Sequence, residues 1–559
     1  MSAQRLLTHY DKIADAPDAI ERLRRFILNL AVRGKLVPQD KRDEPASELL
    51  ERIAQEQARL VTAGELRKPK ECEPVREDEL PIELPKNWAW ARLCEIGSLS
   101  GGMTPSMTRS EFWGGDIVWL SPKDIKSDEV FNSELKISAL GLAETRLELF
   151  RPGCLFMVAR SGILKRTFPV AINRIPAAAN QDMKVLVPFV DGQERYLQIM
   201  FRGLTEFLLR ELVKTGTTVQ SLKYAEFERQ PFPLPPLAEQ RRIVAKVDEL
   251  MGLCDRLEAA RSAREAVRDR LAAASLARLN VPDPETFQAD ARFALDALPA
   301  LTTRPDQIKA LRQTILNLAV RGKLVQQDQN DEPAANFDPA IPDTLERPFA
   351  IPKNWNWARL AMIGKLKGGG TPSKARDDFW NGNIPWVSPK DMKIDYVAEA
   401  QLSITETAIA GSAANLIDAG SVLFVVRGMI LAHSFPVAIS GVPLTINQDM
   451  KALTLRKPEM AEYILRALKG LKPEMLKRVQ RSSHGTCRLE GADYSDFLVP
   501  IPPLAEQRRI VSKVNELMRV CDLLETSLTT TVATRCRLLD ALLVEALAPS
   551  NDRELEAAE

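Results

Sequence analysis

The chain contains the same long stretch of sequence twice, and this duplication limits what it can fold into. Residues 27–37 and residues 315–325 both read ILNLAVRGKLV, at an offset of 288. From residue 84 onward the offset is 267, because the first copy has 21 extra residues after its Asp-Glu-Pro sequence. In the closing blocks, residues 233–258 and 500–525 agree at 20 of 26 positions. The period is far longer than a solenoid unit, so each copy is a whole set of domains.

Each copy begins and ends with a pattern typical of a helix. The leading segments place apolar residues three or four positions apart, at Ile20, Leu23, Ile27 and Leu30 and again at Ile308, Leu311, Ile315 and Leu318. Gly34 and Gly322 then predict the helix ends. After each PPLAEQRR sequence, heptad spacing recurs at Ile243, Val247, Leu250, Cys254 and Leu257 and at Ile510, Val514, Leu517, Cys521, Leu524 and Leu528. Each closing helix therefore requires a partner helix.

The segments between these helices follow a different pattern. Short apolar runs at 117–120, 154–159, 183–187 and 422–426 predict strands, and residues 196–214 and 461–480 predict helices. We therefore expect an α+β fold with two similar α/β domains separated by long antiparallel coiled-coil helix pairs. The predicted boundaries are a helical region at 1–81, a first domain at 82–235, a central helical region at 236–348, a second domain at 349–502 and a helical region at 503–559.

The repeat also predicts how the helices pair. The apolar seam of the middle closing helix, residues 237–279, has the second copy's opening helix as its nearest candidate partner. By the same symmetry the first opening helix pairs with the last closing helix. The two domains are then related by a pseudo-twofold axis, which suits the reading of two half-sites on one DNA duplex.

Composition excludes several classes of protein. The 76 Lys and Arg residues balance 75 Asp and Glu residues, so any binding of nucleic acid must come from local groups rather than net charge. The seven cysteines form no C-x-x-C pair, which favours reduced thiols in a cytoplasm, and three histidines make a structural zinc site improbable. No apolar run approaches the length of a membrane span. We expect a cytoplasmic protein with no membrane partner.

The motifs of several enzyme classes are missing from the sequence. Gly34-Lys35 and Gly364-Lys365 are each followed by leucine, so neither is a phosphate-binding G-K-[ST] loop. The chain has no G-x-S-x-G or H-E-x-x-H motif, and no Asn/Asp-Pro-Pro-aromatic motif for a flipped base. One alternative is a metal-dependent nuclease that uses Asp116 or Asp124 with Glu134-Leu135-Lys136. The second copy has Gln401, Leu402 and Ser403 at that triplet, which cannot hold a cation in the same way.

Polar loops in each domain are the candidate DNA contacts. The sequences GGMTPS and GGGTPS combine backbone N–H groups with hydroxyls that suit a sugar–phosphate backbone, although a tight turn explains them equally well. A lysine in each S-P-K-D turn suits a phosphate, and an arginine at the end of an apolar strand suits guanine, unless it pairs with a neighbouring acid. These candidates are Gly102, Thr104, Ser106, Ser121, Lys123, Arg160 and Ser161 in the first domain and Gly370, Thr371, Ser373, Ser388, Lys390 and Arg427 in the second.

Basic stretches supply a further set of candidates. Seven basic residues and one acidic residue lie within 465–488, and the matching stretch 195–223 has five basic and two acidic residues. Such runs are often solvated faces, but a pair at matching places favours DNA. The stretches and the polar loops beside them add Thr217, Thr218, Lys477, Arg481, Ser483, His484 and Thr486 to the candidates. The eight tryptophans form four matched pairs, for which packing is favoured over base stacking.

Taken together, these blocks resemble the DNA-specificity subunit of type I restriction-modification systems over nearly the whole chain. The resemblance rests on the two PLAEQRRIV helices (236–244 and 503–511), the two AVRGKLV segments and two domains that begin with PKNW and G-x-T-P and contain FW-x-G-x-I-x-W. Two complete sets in this order are highly specific.

The resemblance implies a non-catalytic subunit that reads double-stranded DNA. Each of two target-recognition domains would read one half of a gapped sequence through the major groove. The helices would set the spacing and dock two methyltransferase subunits, with restriction and translocase subunits joining later. This chain would hold no cofactor or metal, because S-adenosylmethionine, ATP and magnesium belong to the partner subunits. A structural scaffold that does not bind DNA and an autonomous nuclease are the alternatives.

Overall fold

The computed structural model describes residues 15–66, 72–76, 79–80, 83–216, 219–342, 345–481 and 485–547. It forms two compact units, which we name the first unit (residues 1–262 and 534–559) and the second unit (residues 263–533). Within the described ranges, no helix is both long and apolar enough to cross a membrane.

A five-stranded sheet forms the centre of the first unit. Its strands lie in the order Gly97–Gly101, Met183–Pro188, Leu155–Val158, Val170–Asn173 and Glu129–Val130, and only the last pair is parallel. All four residues of Leu155–Val158 are buried, as the predicted apolar run requires. Smaller sheets combine Leu135–Ile137, Trp113–Leu120 and Ala177–Ala179; Ala89–Arg92 and Pro231–Leu234; and Val213–Lys214, Gln220–Leu222 and Arg160–Ser161.

The second unit repeats this arrangement. Its five-stranded sheet has the order Gly364–Gly368, Met450–Leu455, Val422–Val425, Val437–Ser440 and Tyr396–Val397. Its smaller sheets combine Leu402–Ile404, Trp380–Val387 and Thr445–Ile446; Asn356–Arg359 and Leu498–Ile501; and Gln480–Arg481 and Cys487–Arg488. The mixed α and β content, repeated in both units, confirms the predicted fold class.

Short helices complete both units. In the first unit these are Ala46–Thr62, Leu93–Ile96, Ala139–Glu144, Glu194–Gly203, Thr205–Glu211 and Tyr224–Arg229, with 3-10 turns at Ser110–Phe112 and Gly162–Lys165. In the second they are Phe287–Asp296, Leu298–Leu301, Leu360–Ile363, Glu406–Gly411, Ala461–Gly470, Lys472–Lys477 and Gly491–Ser495, with 3-10 turns at Asp377–Phe379, Met429–Ala432 and Pro458–Met460.

The single helices predicted at 196–214 and 461–480 were wrong in their extent. Each is two helices followed by a short strand, Val213–Lys214 or Gln480–Arg481. The breaks follow Gly203 and Gly470, which lie against the backbone of an opening helix. A Cβ atom there would come within 2.7 Å of the Leu28 oxygen or 2.6 Å of the Leu316 oxygen. Close docking therefore interrupts a pattern that reads as continuous in the sequence.

The opening helices are Ala19–Val32 and Pro305–Val320, as predicted. Gly34 and Gly322 follow them with φ of +66° each, so both glycines adopt the left-handed conformation that ends a helix. An added Cβ would also collide with a proline ring, Pro85 at 2.4 Å or Pro352 at 2.5 Å. The glycine stops are confirmed.

The two long helices, Leu237–Asn280 and Leu504–Leu547, have 44 residues each and are about 66 Å long. Their predicted seams are buried at Ile243, Val247 and Cys254 and at Ile510, Val514 and Cys521. Within the first unit the partner is the opening helix. Arg24 pairs with Asp255 at 2.6 Å, whereas Gln39, beyond that helix, reaches Glu239 at 2.7 Å. The order of these contacts is antiparallel, and Arg312 with Asp522 at 2.8 Å repeats it in the second unit.

The predicted pairing of each opening helix with the other copy's long helix is found only at the helix ends, because both seams are buried beside the opening helix of their own copy. Ala16 and Ala19 of the first copy form a buried cluster with Leu539 and Leu542 of the last helix, and Arg22 pairs with Asp540. In the second unit, Ala272, Leu276 and Leu279 of the first long helix pack with Leu301, and Arg304 pairs with Asp269 at 2.8 Å. Each opening helix therefore contacts the long helix of its own copy and the far end of the other copy's long helix.

The expectation that all cysteines are reduced was wrong for one pair. Cys72 and Cys94 form a disulfide, with 6.3 Å between their Cα atoms. The sequence pattern hides this pair because Cys72 lies in the segment that only the first copy has. Arg92, which is buried, brings that segment close by donating to the Glu73 oxygen at 2.7 Å and the Pro74 oxygen at 3.1 Å.

Candidate nucleic-acid interface

A tight turn at residues 180–182 is the hub of the candidate site in the first unit. It connects the strands Ala177–Ala179 and Met183–Pro188. The buried Asn180 donates its backbone N–H to the Leu120 oxygen at 2.9 Å, and its side-chain oxygen accepts the Asp182 N–H at 3.0 Å. We name residues 180–182 the first Asn-Gln-Asp turn and residues 447–449, with the same sequence, the second. In the second turn, Asn447 donates to the Val387 oxygen at 2.9 Å.

The glycine-containing loop rests directly on this turn. Met103 donates its N–H to the Ala179 oxygen at 2.9 Å, and a Cβ on Gly102 would lie 2.0 Å from the Asn180 oxygen. Thr104 donates its hydroxyl proton to the side-chain oxygen of Gln181. The loop is thus held rigidly with polar groups at its surface, and both alternatives for it, a hydrogen-bonded turn and a phosphate-binding surface, are compatible with this geometry.

The corresponding loop of the second unit is held in the same way. Gly370 donates its N–H to the Ile446 oxygen at 3.0 Å, and Thr371 donates its hydroxyl proton to Gln448. The hydroxyls of Ser106 and Ser373 belong to exposed residues. Ser106 lies 2.8 Å from the Thr108 hydroxyl, so one of its hydrogen-bonding positions is already used.

Tryptophans support these loops from beneath. Trp119 donates its indole N–H to the Met103 oxygen at 3.0 Å, and Trp386 donates to the Gly370 oxygen at 2.9 Å. Each stacks edge to face on a second tryptophan, with ring centroids 5.1 Å apart for Trp113 and Trp119 and 5.4 Å for Trp380 and Trp386. These four tryptophans pack and brace, as the sequence analysis favoured.

The Ser-Pro-Lys-Asp turns lie beside the same hubs. Asp124 accepts both the hydroxyl and the N–H of Ser121, at 2.7 and 2.8 Å, and also the Glu134 N–H at 2.8 Å. Asp391 repeats these bonds with Ser388 and the Gln401 N–H. The aspartates therefore shape the turns. Lys123 and Lys390 are exposed, and neither forms an ion pair within the described residues.

The strand-end arginines are attached to the hubs through their backbone. The N–H groups of Ala159 and Arg160 both donate to the Asp182 oxygen, at 2.8 and 3.1 Å. Arg427 donates likewise to the Asp449 oxygen at 3.2 Å. Both arginine side chains are exposed, and among the described residues no carboxylate pairs with either, so the ion-pair alternative is not realised there. Ser161 accepts the Ile163 N–H at 3.4 Å.

A β-hairpin lies beside each strand-end arginine. In the first unit, Gln220–Leu222 pairs with both Val213–Lys214 and Arg160–Ser161. In the second, Gln480–Arg481 pairs with Cys487–Arg488, and Arg427 forms a bridge to Arg488. Arg481 and Thr486 are exposed on this hairpin. The candidates Thr217, Thr218, Ser483 and His484 lie outside the described residues.

The basic stretches contribute less charge to the surface than the sequence suggests. Arg466 and Lys469 both bind Asp395, Lys477 pairs with Glu474 at 2.8 Å, and Arg488 pairs with Glu490 at 2.9 Å. Burial alone raises the pKa of Asp395, but Lys469 and Arg466 outweigh burial and hold this pKa below its ordinary value. Acids of the same unit therefore neutralise these side chains, and for Lys477 the partner lies three residues away on its own helix. Of the candidates Lys477 and Arg481, the exposed Arg481 is the better placed to contact DNA.

The structure therefore brings most of the predicted contacts together in each unit. The glycine loop and the strand-end arginine hydrogen-bond to an Asn-Gln-Asp turn or to the strand beside it. The Ser-Pro-Lys-Asp turn directly follows Leu120 or Val387, whose oxygen accepts a hydrogen bond from the asparagine of the Asn-Gln-Asp turn. Lys477 is separate from them, on the helix Lys472–Lys477.

Gln181 and Gln448 also belong to this site, although they are not among the residues predicted from the sequence. Both are exposed, and each accepts the hydroxyl proton of a candidate threonine. The signal was present, because NQDMK recurs at 180–184 and 447–451. Nothing in the sequence distinguishes this glutamine from others, because its hydrogen bond to Thr104 or Thr371 depends on the fold.

The carboxylates of the nuclease alternative are not gathered into a metal site in the described part of the chain. No group of three or more His, Cys, Asp or Glu residues there has a geometry that could hold a metal ion. Asp124 already accepts three hydrogen bonds from its own turn and from Glu134.

Comparison with known proteins supports a single family. Residues 85–264 and 352–533 each match the family described as "Type I restriction modification DNA specificity domain". The chain is 29% identical to the specificity subunit of the type I restriction enzyme EcoAI of Escherichia coli, over 94% of this chain and 93% of that protein. It is 27% identical to the EcoEI specificity subunit of the same species, over 94% of each. A crystal structure of the HsdS subunit from Thermoanaerobacter tengcongensis aligns with 84% of this chain and 98% of that one, at 21% identity and a TM-score of 0.44.

The two matched segments cover well over half of the chain, and each includes one complete hub with its loop, turn and arginine. The chain belongs to the type I restriction-modification DNA specificity family, with two copies of the specificity domain.

Proposed function

We propose that this chain is the sequence-reading, non-catalytic subunit of a type I restriction-modification complex. The observation that carries the proposal is the repeated hub: in each unit, the glycine loop, the Ser-Pro-Lys-Asp turn and an arginine with an exposed side chain lie around one Asn-Gln-Asp turn. Family membership, with two specificity domains in one chain, supports the same role. Each hub reads one half of a gapped double-stranded target.

Different residues of each hub would position the protein on the DNA backbone and read the bases. Lys123 and Lys390 are exposed cations on rigid turns, suited to phosphates, which fix the register of a protein on DNA. Arg160 and Arg427 present a guanidinium fork that matches the O6 and N7 acceptors of guanine in the major groove. The serine and threonine hydroxyls of the loops contribute to both. With a formal net charge of +1, the chain depends on these local groups for affinity.

The roles of the remaining segments follow from the same proposal. Residues 82–235 and 349–502 are the recognition domains, and residues 1–81, 236–348 and 503–559 are the helical regions that set the spacing of the half-sites. Those helices dock two methyltransferase subunits, which bring S-adenosylmethionine, and restriction subunits, which use ATP and magnesium. The chain itself needs no cofactor, and it acts in the cytoplasm, where its DNA target is.

Mapping of methylated adenines tests the proposal. The chain is co-expressed with the methyltransferase subunit of its own system in a host without adenine methylation, and the genome is sequenced with detection of modified bases. We expect methylation at one gapped sequence with two defined halves, and none when either protein is expressed alone. Methylation without sequence preference would indicate a scaffold. Cleavage of DNA by the chain with magnesium alone would indicate a nuclease.

A further inference from the structure

The two glutamines of the hubs are exposed side chains on backbone that cannot easily move. Asn180 and Asn447 are each 6% exposed, and they fix the turns by hydrogen bonds to the neighbouring strands. The approach of the glycine loop is equally tight, since a Cβ on Gly102 or Gly369 would lie 2.0 or 2.1 Å from an asparagine oxygen. A side chain projecting from such a turn keeps its position when DNA arrives, which is what accurate recognition requires.

The threonines also fix how each amide is turned. Thr104 and Thr371 donate to the side-chain oxygen of Gln181 and Gln448, which leaves each amide nitrogen with two N–H donors directed away from the threonine. Within the described residues no acceptor bonds to either nitrogen. The oxygen keeps one lone pair, because an amide oxygen accepts two hydrogen bonds and the threonine uses one.

From this arrangement we infer that Gln181 and Gln448 each read one adenine in the major groove, one in each half of the target. One donor and one acceptor, side by side on a planar amide, match the N7 acceptor and N6 donor of adenine. Guanine presents two acceptors at those positions and leaves the glutamine oxygen without a donor. The inference rests on the proposed function. It adds residues absent from the sequence-based candidates and names the base that they select.

Each glutamine is expected to act on only one half of the target. Because the Thr–Gln pair is the same in both units, each half-site contains one adenine that depends on one glutamine. If the Thr–Gln hydrogen bond only stabilised the loop, replacing the glutamine would instead weaken recognition equally at every position of its half-site.

The test uses the whole complex of this chain with its methyltransferase subunits and a library of DNA duplexes randomised in both half-sites. Methylated duplexes are selected and sequenced for the wild type, Gln181→Ala, Gln448→Ala and Gln448→Glu. We expect Gln448→Ala to lower the preference for adenine at one position of one half-site by roughly tenfold or more. Gln181→Ala has the same effect in the other half-site. Gln448→Glu, which can only accept hydrogen bonds, shifts that position toward cytosine.

Matched variants separate base reading from support of the loop. Gln55→Ala changes an exposed glutamine on the helix Ala46–Thr62 and should leave every preference unchanged. Thr371→Val removes only the hydroxyl and should weaken the same single position as Gln448→Ala, by a smaller factor.

The inference is overturned if a glutamine variant methylates all sequences less while its preferences stay the same. It is also overturned if preferences change in both half-sites at once, or if nothing changes. A wild-type complex that methylates the library without preference would instead overturn the proposed function, so the two failures are distinguishable.

Discussion

Two cations on the same rigid frame have different roles in the second unit. Arg427 emerges beside the second Asn-Gln-Asp turn, and Lys390 projects from the neighbouring Ser-Pro-Lys-Asp turn. Both are exposed, so neither is needed to hold the fold. A planar fork distinguishes bases by its geometry, whereas a point charge attracts any phosphate.

Replacing these two residues separates base reading from phosphate contact. We expect Arg427→Ala to cost about 1 to 3 kcal/mol of binding free energy on the target and to relax the choice of base at one position. Lys390→Ala should weaken binding to all sequences alike and reduce the slope of log K against log salt by about one. Titration of target and random duplexes at several salt concentrations measures both effects. Equal losses on both duplexes for Arg427→Ala would contradict its assignment.

The carboxylate of Asp395 stabilises the second unit in a manner that depends on pH. Its partners Lys469 and Arg466 keep its pKa below the ordinary value in spite of burial, so folding favours the ionised form. This contribution is present above the unfolded pKa of about 4 and is lost as the pH falls through the lower folded value. We expect Asp395→Asn to lower the free energy of unfolding by about 2 kcal/mol at neutral pH and by much less in acid.

Urea unfolding at neutral pH and at about pH 3 measures this difference. Asp377→Asn is the matched control, because Asp377 is exposed and forms no ion pair within the described residues. A deficit of the same size at both pH values would exclude the ion pairs as its cause.

Each long helix is held in the fold by one buried seam of apolar residues, while other apolar side chains of the same helix remain exposed. Ile510, Val514 and Cys521 are buried in the core of the second unit, whereas Leu523 of the same helix is 70% exposed. Burial of the seam against the opening helix excludes water from large aliphatic side chains, which is the main stabilising contribution that such a contact offers.

Truncation on and off the seam tests this packing. Ile510→Ala should lower the free energy of unfolding by about 3 kcal/mol, because it removes buried methyl groups and leaves a cavity. Leu523→Ala should change it by about 0.5 kcal/mol or less. Thermal and urea unfolding of the full chain provide the measurement. Comparable losses in the two variants would show that a partner covers the Leu523 face in solution.

Each unit carries the same recognition frame, and this has a consequence for the target. The glycine loops, Ser-Pro-Lys-Asp turns, Asn-Gln-Asp turns and strand-end arginines recur in both, with matching hydrogen bonds. Differences between the frames are local: Ser161 and Gly162 of the first unit correspond to Gly428 and Met429 of the second, and Met429 is 61% exposed.

The two halves of the DNA target should therefore share some bases. We expect the methylated motif to show common positions when one half is compared with the other in both orientations, and to differ near the bases that face Met429. Met429→Gly removes the exposed side chain that the first unit lacks and should make the second half-site more like the first. The genome-wide methylation map is the measurement, and two halves without a shared base would contradict the prediction.

Much of this organisation is readable in the sequence because it depends on periodicity and repetition. The seams of the helices, the glycine stops at Gly34 and Gly322 and the duplicated domain set follow from local spacing, and the family follows from motifs in a fixed order. Helix pairing was predictable only in part: the duplication indicated the contacts between copies at the helix ends, but not that each seam packs against the opening helix of its own copy.

Tertiary structure alone decided which groups are free to meet a ligand. The basic run at 465–488 reads as a DNA-binding surface, yet Arg466 and Lys469 bind Asp395, which is about 70 residues away in the chain. Gln181 gains its meaning only from Thr104, 77 residues before it, and Cys72 meets Cys94 through a segment that one copy alone contains. Contacts over such separations depend on how strands and turns come together in space, and local spacing carries no record of that.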